Sequence, residues 1–353
     1  MLRAGRWREA EGRLRALLDQ AVQQQAFWQA SATAGELINL LRDTGRFCEA
    51  LALVEQRQEY TRRAGLGPWT QLLNESYRLQ LLVQLGRNEE VLAAVERLRP
   101  TLQALPETSD QDETALPCNV REIILESGRD AARNLERREE LALALNAEVL
   151  QSRIARRAPA LAQARTCFND YGPLLRRQRY AEAREVLENC RDTFVAENDV
   201  PQLGKVFGAL ADLEDKLNHR DRAIDLSHTA LRYTYLAGDP EDCTASHFKL
   251  ANYLRDAGGP PVVALAHRLA AALIRFQTAS GKLPSTLQAL ARDLADFIAS
   301  PPLPADFAAL CAIVEQVEGV RFRDLFERLP KDQAADGDAA LQQVLALARQ
   351  VRT

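Results

Sequence analysis

The residues of this chain able to hold a metal or act as nucleophiles are four histidines and six cysteines, and their spacing serves neither purpose. His219, His228, His247 and His267 form no His-Glu-x-x-His pair and lie beside no cysteine ligand set, so each is read as a surface or packing residue. Cys48, Cys118, Cys167, Cys190, Cys243 and Cys311 contain no Cys-x-x-Cys step. Such scattered thiols are expected to be reduced in a cytoplasm rather than paired in a secreted framework. The sequence has no Walker loop, no Gly-x-Gly-x-x-Gly after a strand and no Gly-x-Ser-x-Gly elbow, and Gly258-Gly259-Pro260-Pro261 reads as a hairpin turn. No catalytic, cofactor-binding or metal-binding residue is assigned, and the protein is expected to be no enzyme.

The chemistry that remains is recognition. Arg153, Arg156, Arg157, Arg165, Arg176, Arg177 and Arg179 make the middle third locally basic, but Glu182 and Glu185 are close in sequence, which suits solvated helix faces. Over the whole chain the net charge is −4, and basic and acidic residues are interspersed. A nucleic-acid surface would need a basic stripe instead. A second polar set recurs at regular distance: Asn39, Gln80, Asp130, Asp212 and Asn252, with Arg42, Arg133 and Arg255 three residues further on in their own segments. Polar groups repeated at one phase could line a wet groove and hydrogen-bond to a peptide backbone.

The spacing of that set comes from a phrase that recurs along the chain. Gly5-Arg6-Trp7-Arg8-Glu9-Ala10 returns as Gly45-Arg46-Phe47-Cys48-Glu49-Ala50 and as Gly86-Arg87-Asn88-Glu89-Glu90-Val91, with weaker copies beginning at 136, 178, 218 and 258. The intervals are 40, 41, 50, 42, 40 and 40 residues, the long one holding the polar stretch between Pro106 and Pro117. Trp28 and Trp69 share one phase, as do Tyr60 and Tyr233, which points to inter-repeat packing. Each unit reads as two helices. An amphipathic run such as Gly35 to Asp43 precedes the anchor, which ends it in a left-handed residue, and a second apolar run follows. The small residues Ala10, Ala50, Ala183 and Ala223 would let the two helices pack closely.

Composition agrees: the chain is 46% hydrophobic and 27% charged, Ala, Leu, Arg and Glu dominate, and no β-branched alternation is visible. No signal peptide and no 18-residue apolar segment occurs, so no membrane partner is expected. Because Met1 precedes the first anchor by four residues, the first unit lacks its first helix. An N-terminal covering domain, or self-association through the exposed first hairpin near Leu14, Leu17 and Leu18, would cover the apolar face this leaves. After the seventh anchor, helices over 262–277 and 283–299 are followed by Pro301-Pro302 and Pro304. Three short helices, 306–317, 321–329 and 338–351, would then close the stack, with 331–338 as a mobile linker and the last helix loosely attached.

The Gly-x-aromatic-x-x-Ala phrase (Gly5/Trp7/Ala10, Gly45/Phe47/Ala50) and Leu250-Ala251-Asn252-Tyr253-Leu254 resemble the tetratricopeptide repeat family, in its longer 40–42-residue form. The resemblance implies an all-α, right-handed α-solenoid of about seven helical hairpins over residues 1–300, with a C-terminal helical cap over 301–353. It also implies a concave groove, lined by first helices, that binds a protein or peptide partner. Chaperone-binding members clamp a C-terminal carboxylate with Lys, Asn, Asn, Lys and Arg. Here Asn169 and Lys205 match two of those places, while Glu126, Asp130 and Ala209 take the others, so no such clamp is expected. The expected function is a non-enzymatic binding scaffold in a bacterial cytoplasm. The alternatives are a sensor segment of a larger signalling ATPase or caspase-like protease, and an RNA-binding helical repeat, for which no base-reading pair recurs at fixed phase.

Overall fold

The computed structural model describes residues 7–106, 116–296, 303–331 and 333–351, and among them there is helix but no strand. The architecture is an α-solenoid in which consecutive helices pack on their neighbours. The second helices of the repeat are α1 (Trp7–Gln23), α3 (Phe47–Arg63), α5 (Asn88–Gln103), α7 (Glu139–Ala155), α10 (Tyr180–Ala196), α12 (Arg220–Ala237) and α14 (Pro261–Gln277). The first helices are α2 (Phe27–Asp43), α4 (Pro68–Gln84), α6 (Pro117–Arg133), the pair α8 (Ala160–Cys167) and α9 (Tyr171–Arg176), α11 (Val200–Lys216), α13 (Pro240–Asp256) and α15 (Leu283–Asp296). The anchor at residue 5 and the centre of the 107–115 insertion lie outside the described residues.

The anchors work as expected. Gly45, Gly86, Gln178, Asn218 and Gly258 all have positive φ, between 57° and 75°. The next amide then reaches back five residues: Arg46 N–H to the Leu41 carbonyl at 2.8 Å, Arg87 to Leu82 at 2.9 Å, and Gly259 to Leu254 at 2.9 Å. This closure satisfies carbonyls that the helix end would otherwise leave free. The same device makes the opposite turns, as where Gln25 has φ 56° and Ala26 N–H bonds the Ala21 carbonyl at 2.8 Å. One anchor is displaced: the left-handed residue is Arg137, not Glu136. Helix α6 stops at Arg133 and the turn that follows is longer than its counterparts, so sequence spacing across it misplaces the register. Another irregularity has a covalent cause. Pro173 offers no N–H to the carbonyl of Asn169 and its ring crowds that carbonyl, and Phe168–Asp170 accordingly winds as a 3-10 turn between α8 and α9.

The chain forms two compact units, Met1–Gln178 and Arg179–Thr353. In the first, Leu37, Ile38 and Leu41 of α2 meet Ala50 and Val54 of α3, and a second cluster joins Leu79 and Leu82 to Val91, Val120, Ile124 and Leu145. Of the small residues expected for close packing, Ala50 in the first unit and Ala183 and Ala223 in the second are fully buried, whereas Ala10 is half-buried. Trp69 packs against the core, but Trp28 is 55% exposed, so the shared phase of the two tryptophans does not reflect one packing role. Polar groups are also buried here. Glu122 is drawn upward in pKa by burial, yet hydrogen bonds from Arg156, Arg153 and Ser152 outweigh that and hold it below the usual carboxylate range. Arg57 donates to the Ser31 carbonyl at 2.8 Å and to Asn74.

In the second unit α11 lies very close to α12. A Cβ on Gly204 would stand 2.8 Å from Thr234 Cγ2 and 3.3 Å from the Thr234 backbone nitrogen. Gly204→Ala is therefore expected to cost about 1–3 kcal/mol through forced separation of the two helices, read as a lower urea midpoint in far-UV circular dichroism; an unchanged midpoint would show that the contact yields freely.

The C-terminal helices α16 (Phe307–Val314), α17 (Phe322–Arg328) and α18 (Gly337–Gln350) belong to this unit. Asp306 caps α16 by accepting from Ala309 N at 2.7 Å, and Asp336 caps α18 by accepting from Ala339 N at 2.8 Å. The expectation of a loose final helix is overturned. Leu341, Val344, Leu345 and Ala348 are buried in the same cluster as α14, Gln277 Nε2 donates to the Ala334 carbonyl at 2.9 Å, and Phe307 N donates to Asp338 at 2.8 Å. The reason is α14 itself, buried without interruption from Ala264 to Gln277. A helix with no wet face needs cover on every side, and α18 packs on it as one part of that cover.

Candidate partner-binding surface

The polar positions singled out in the sequence lie on successive first helices, and several of them are joined sideways to the next. In Met1–Gln178, Arg42 Nη1 on α2 donates to Gln80 Oε1 on α4 at 2.9 Å, and Arg133 Nη1 on α6 donates to Asn169 Oδ1 at 3.1 Å. Asp130 accepts from Arg129 Nε at 2.9 Å and lies 3.8 Å from Arg133. Asn39 is half-buried. In Arg179–Thr353, Lys205 on α11 pairs with Asp242 on α13 at 3.5 Å. Asp212 on α11 accepts from Lys249 Nζ and Tyr253 Oη on α13, both at 2.5 Å. Asn252 accepts from Arg268 Nη2 at 2.6 Å, and Arg255 Nη1 on α13 donates to Asp293 on α15 at 3.1 Å.

Most of these pairs are 36 to 38 residues apart, about one helical turn short of the repeat, so complementary side chains meet across the seam between neighbouring first helices. Most of these groups are half-exposed, where such pairs stabilise by about 0–1 kcal/mol each. They align the helices and still present polar atoms to a partner. Asp130 and Arg133 are one position out of step. Asn39, Gln80, Asp212 and Asn252 are each the thirteenth residue of their helix, and the thirteenth of α6 is Arg129, because of the lengthened turn at Arg137. Arg129 is buried and donates to Asn146 Oδ1 at 3.0 Å.

Sequence reasoning missed a polar centre in Arg179–Thr353. Tyr235 Oη on α12 lies 2.7 Å from His247 Nε2 on α13, and His247 Nδ1 lies 2.8 Å from His267 Nδ1 on α14. Tyr235, His247 and His267 are all buried. Burial holds the His247 imidazole well below its ordinary pKa, with His267 adding to the effect, and pushes His267 down to about 3; burial also raises the Tyr235 phenol. The three come from separate helices and make no motif. The available signal was that His247 and His267 each interrupt an otherwise apolar helix face.

Two cavities flank this centre. One, of about 930 Å³, is bordered by Tyr233, Tyr235, Leu236, Arg321 and Arg328; the other, of about 460 Å³, by His228, Leu254, Val263, His267 and Val317. Arg232 borders both. Its stem packs on Gly319, where a Cβ would come within 2.7 Å of Arg232 Cγ. Among the described residues no three His, Cys, Asp or Glu side chains are grouped to hold a metal ion, and no helix is long and apolar enough to cross a membrane.

No protein-family model matches this sequence, and no curated protein does. Function must be argued from the arrangement of the side chains.

Proposed function

We propose that this chain is a non-enzymatic scaffold of the tetratricopeptide type, acting in a bacterial cytoplasm, that binds a protein or peptide across its first helices. The observation that carries the reading is the row of half-exposed polar side chains on consecutive first helices, Asn39 and Gln80 at one phase and Arg42 one turn further on foremost among them. An extended peptide offers a donor or acceptor at each residue, and such a row offers complementary groups at intervals.

The test is selection of binders from a displayed random peptide library with the full chain, followed by affinity measurement on Asn39→Ala plus Arg42→Ala. Both positions are half-exposed, so the fold should survive. Loss of tenfold or more in affinity is expected, corresponding to about 1.4 kcal/mol; selected peptides that bind the variant equally well would remove these helices from the interface. Asn252 is the poorer site for this test, because its carbonyl holds the buried Arg268.

A second reading, a regulatory segment of a larger signalling ATPase or caspase-like protease, draws support from Leu17 and Trp28, which are 53% and 55% exposed on α1 and α2, although Leu18 is buried and Leu14 packs on the core, against the expectation that both would be exposed. A covering domain or second copy would seat there.

A further inference from the structure

The two cavities of Arg179–Thr353 are joined through the core by hydrogen bonds. Tyr235 borders the larger, His267 borders the smaller, and His247 stands between them with one ring nitrogen bonded to each. Acceptor strength gives the direction of the chain. The buried Tyr235 hydroxyl has His247 as its partner at 2.7 Å. Either direction leaves one terminal donor unmade, but a neutral imidazole nitrogen is a stronger acceptor than a phenol oxygen, and a phenol the stronger donor, so the hydroxyl donates to His247 Nε2. His247 then carries its proton on Nδ1 and donates to His267 Nδ1. His267 must therefore carry its proton on Nε2. Because burial keeps both rings neutral at ordinary pH, each has one proton and the assignment closes.

His267 Nε2–H makes no hydrogen bond with the described residues, although the side chain is only 1% exposed and borders the cavity of about 460 Å³. Leu254, Val263, Ile313 and Val317 supply apolar walls. A half-open pocket of this size, walled largely by apolar side chains with an unpartnered polar group at its buried end, has the form that small-molecule sites take.

We propose that this cavity binds a small uncharged molecule with an apolar body and a carbonyl oxygen, a ketone, ester or amide, that accepts from His267 Nε2–H. A carboxylate fits poorly. The donor is neutral, and Arg232 at the mouth is engaged with the Tyr233 ring at 5.5 Å and with Glu318 at 3.9 Å, so an anion would be desolvated without a free counter-charge. Tyr235 is a positioning residue. It touches no ligand in this cavity but sets, through His247, which nitrogen of His267 bears the proton.

Nitrogen-15 NMR of the histidine rings in the full chain tests the assignment, with protonated Nε2 expected on His267 and protonated Nδ1 on His247. Titration with acetophenone should then shift His267 Nε2. Acetophenone should bind about tenfold more tightly than ethylbenzene, which has the same shape without the acceptor. Tyr235→Phe frees the imidazole pair to reverse: the preference for acetophenone should shrink toward unity, and indole, which donates, should gain affinity. His267→Phe should abolish the preference. A proton on His267 Nδ1, equal affinities of the wild type for acetophenone and ethylbenzene, or a preference that survives His267→Phe would each overturn the proposal. The first two are read on the wild type, so a variant that fails to fold does not leave the question open.

Discussion

Asp293→Ala is expected to destabilise Arg179–Thr353 by about 3–5 kcal/mol. Arg268 is fully buried, and its Nε donates to Asp293 Oδ2 at 2.7 Å, while Arg255 Nη1 reaches the other oxygen at 3.1 Å. Burial depresses the Arg268 pKa, with Asp293 opposing the shift, but a guanidinium starts so high that it stays charged. Removing the carboxylate leaves a buried cation held only by neutral acceptors, the Asn252 amide at 2.6 Å and the Phe248 carbonyl at 3.3 Å, and by the face of the Phe248 ring at 4.1 Å. The measurement is urea unfolding with two readouts. All three tryptophans lie in Met1–Gln178, so their fluorescence reports that unit, and circular dichroism reports both. The dichroism transition should move to lower urea while the tryptophan transition holds. The double variant Arg268→Met with Asp293→Leu should recover most of the loss, because replacing both members of a buried pair by apolar groups is often neutral. A single variant as stable as the wild type would show that water reaches Arg268.

Acid should unfold the same unit early. Above pH 6.5 His247 and His267 are neutral both folded and unfolded and contribute no pH dependence. Below it the unfolded chain takes up protons that the folded chain refuses, so stability falls through a window from about pH 6.5 down to about 3, the folded value of His267. His267 contributes a slope of about 1.4 kcal/mol per pH unit, about 2 kcal/mol by pH 5, and His247 acts in the same direction. Protonating both rings in place would aim two N–H groups at each other across 2.8 Å. The titratable neighbours are His228 on α12, Cys243 on α13, Cys311 on α16 and Glu315 directly after it, with Arg323 and Arg328 on α17. None places a free carboxylate against the pair. Asp242, which burial pushes upward, acts in the opposite sense. Urea midpoints at pH 7.5, 6 and 5 measure the slope, and the triple variant Tyr235→Phe, His247→Leu, His267→Leu should reduce it to the part left by His228, which burial also holds below its ordinary pKa. A wild-type midpoint that does not change between pH 7.5 and 5 would mean that the rings gain their protons without opening the core.

What the sequence displayed and what it hid separate along a physical line. Turns are local: a left-handed residue must stand where a helix reverses, and Gly45, Gly86 and Gly258 announce it by their chemistry, while Gln178 and Asn218 follow from spacing. Spacing fails where a turn lengthens, which is why the fourth anchor fell on Glu136 instead of Arg137 and why Asp130 and Arg133 are out of step. The first-helix polar row was legible as a phase, but its sideways pairing was not, since Arg42 and Gln80 meet only after two helices have been laid side by side. The Tyr235–His247–His267 chain needs three helices, and no local pattern encodes it. The docking of α18 was hidden for a related reason, because the residues that require it are in α14.

That helix has a wider consequence. Most of the described hairpins close by the same local turn, so nothing in an ordinary repeat says how many should follow, and one could be duplicated or deleted without rewriting its junctions. Helix α14 breaks this indifference. Its polar residues His267, Arg268, Arg275 and Gln277 are all buried and each bonds a chosen partner, so it cannot be exchanged for a helix that keeps one wet face. The count of repeats is written there, as punctuation, where the periodic pattern gives way to a segment that accepts only its own neighbours.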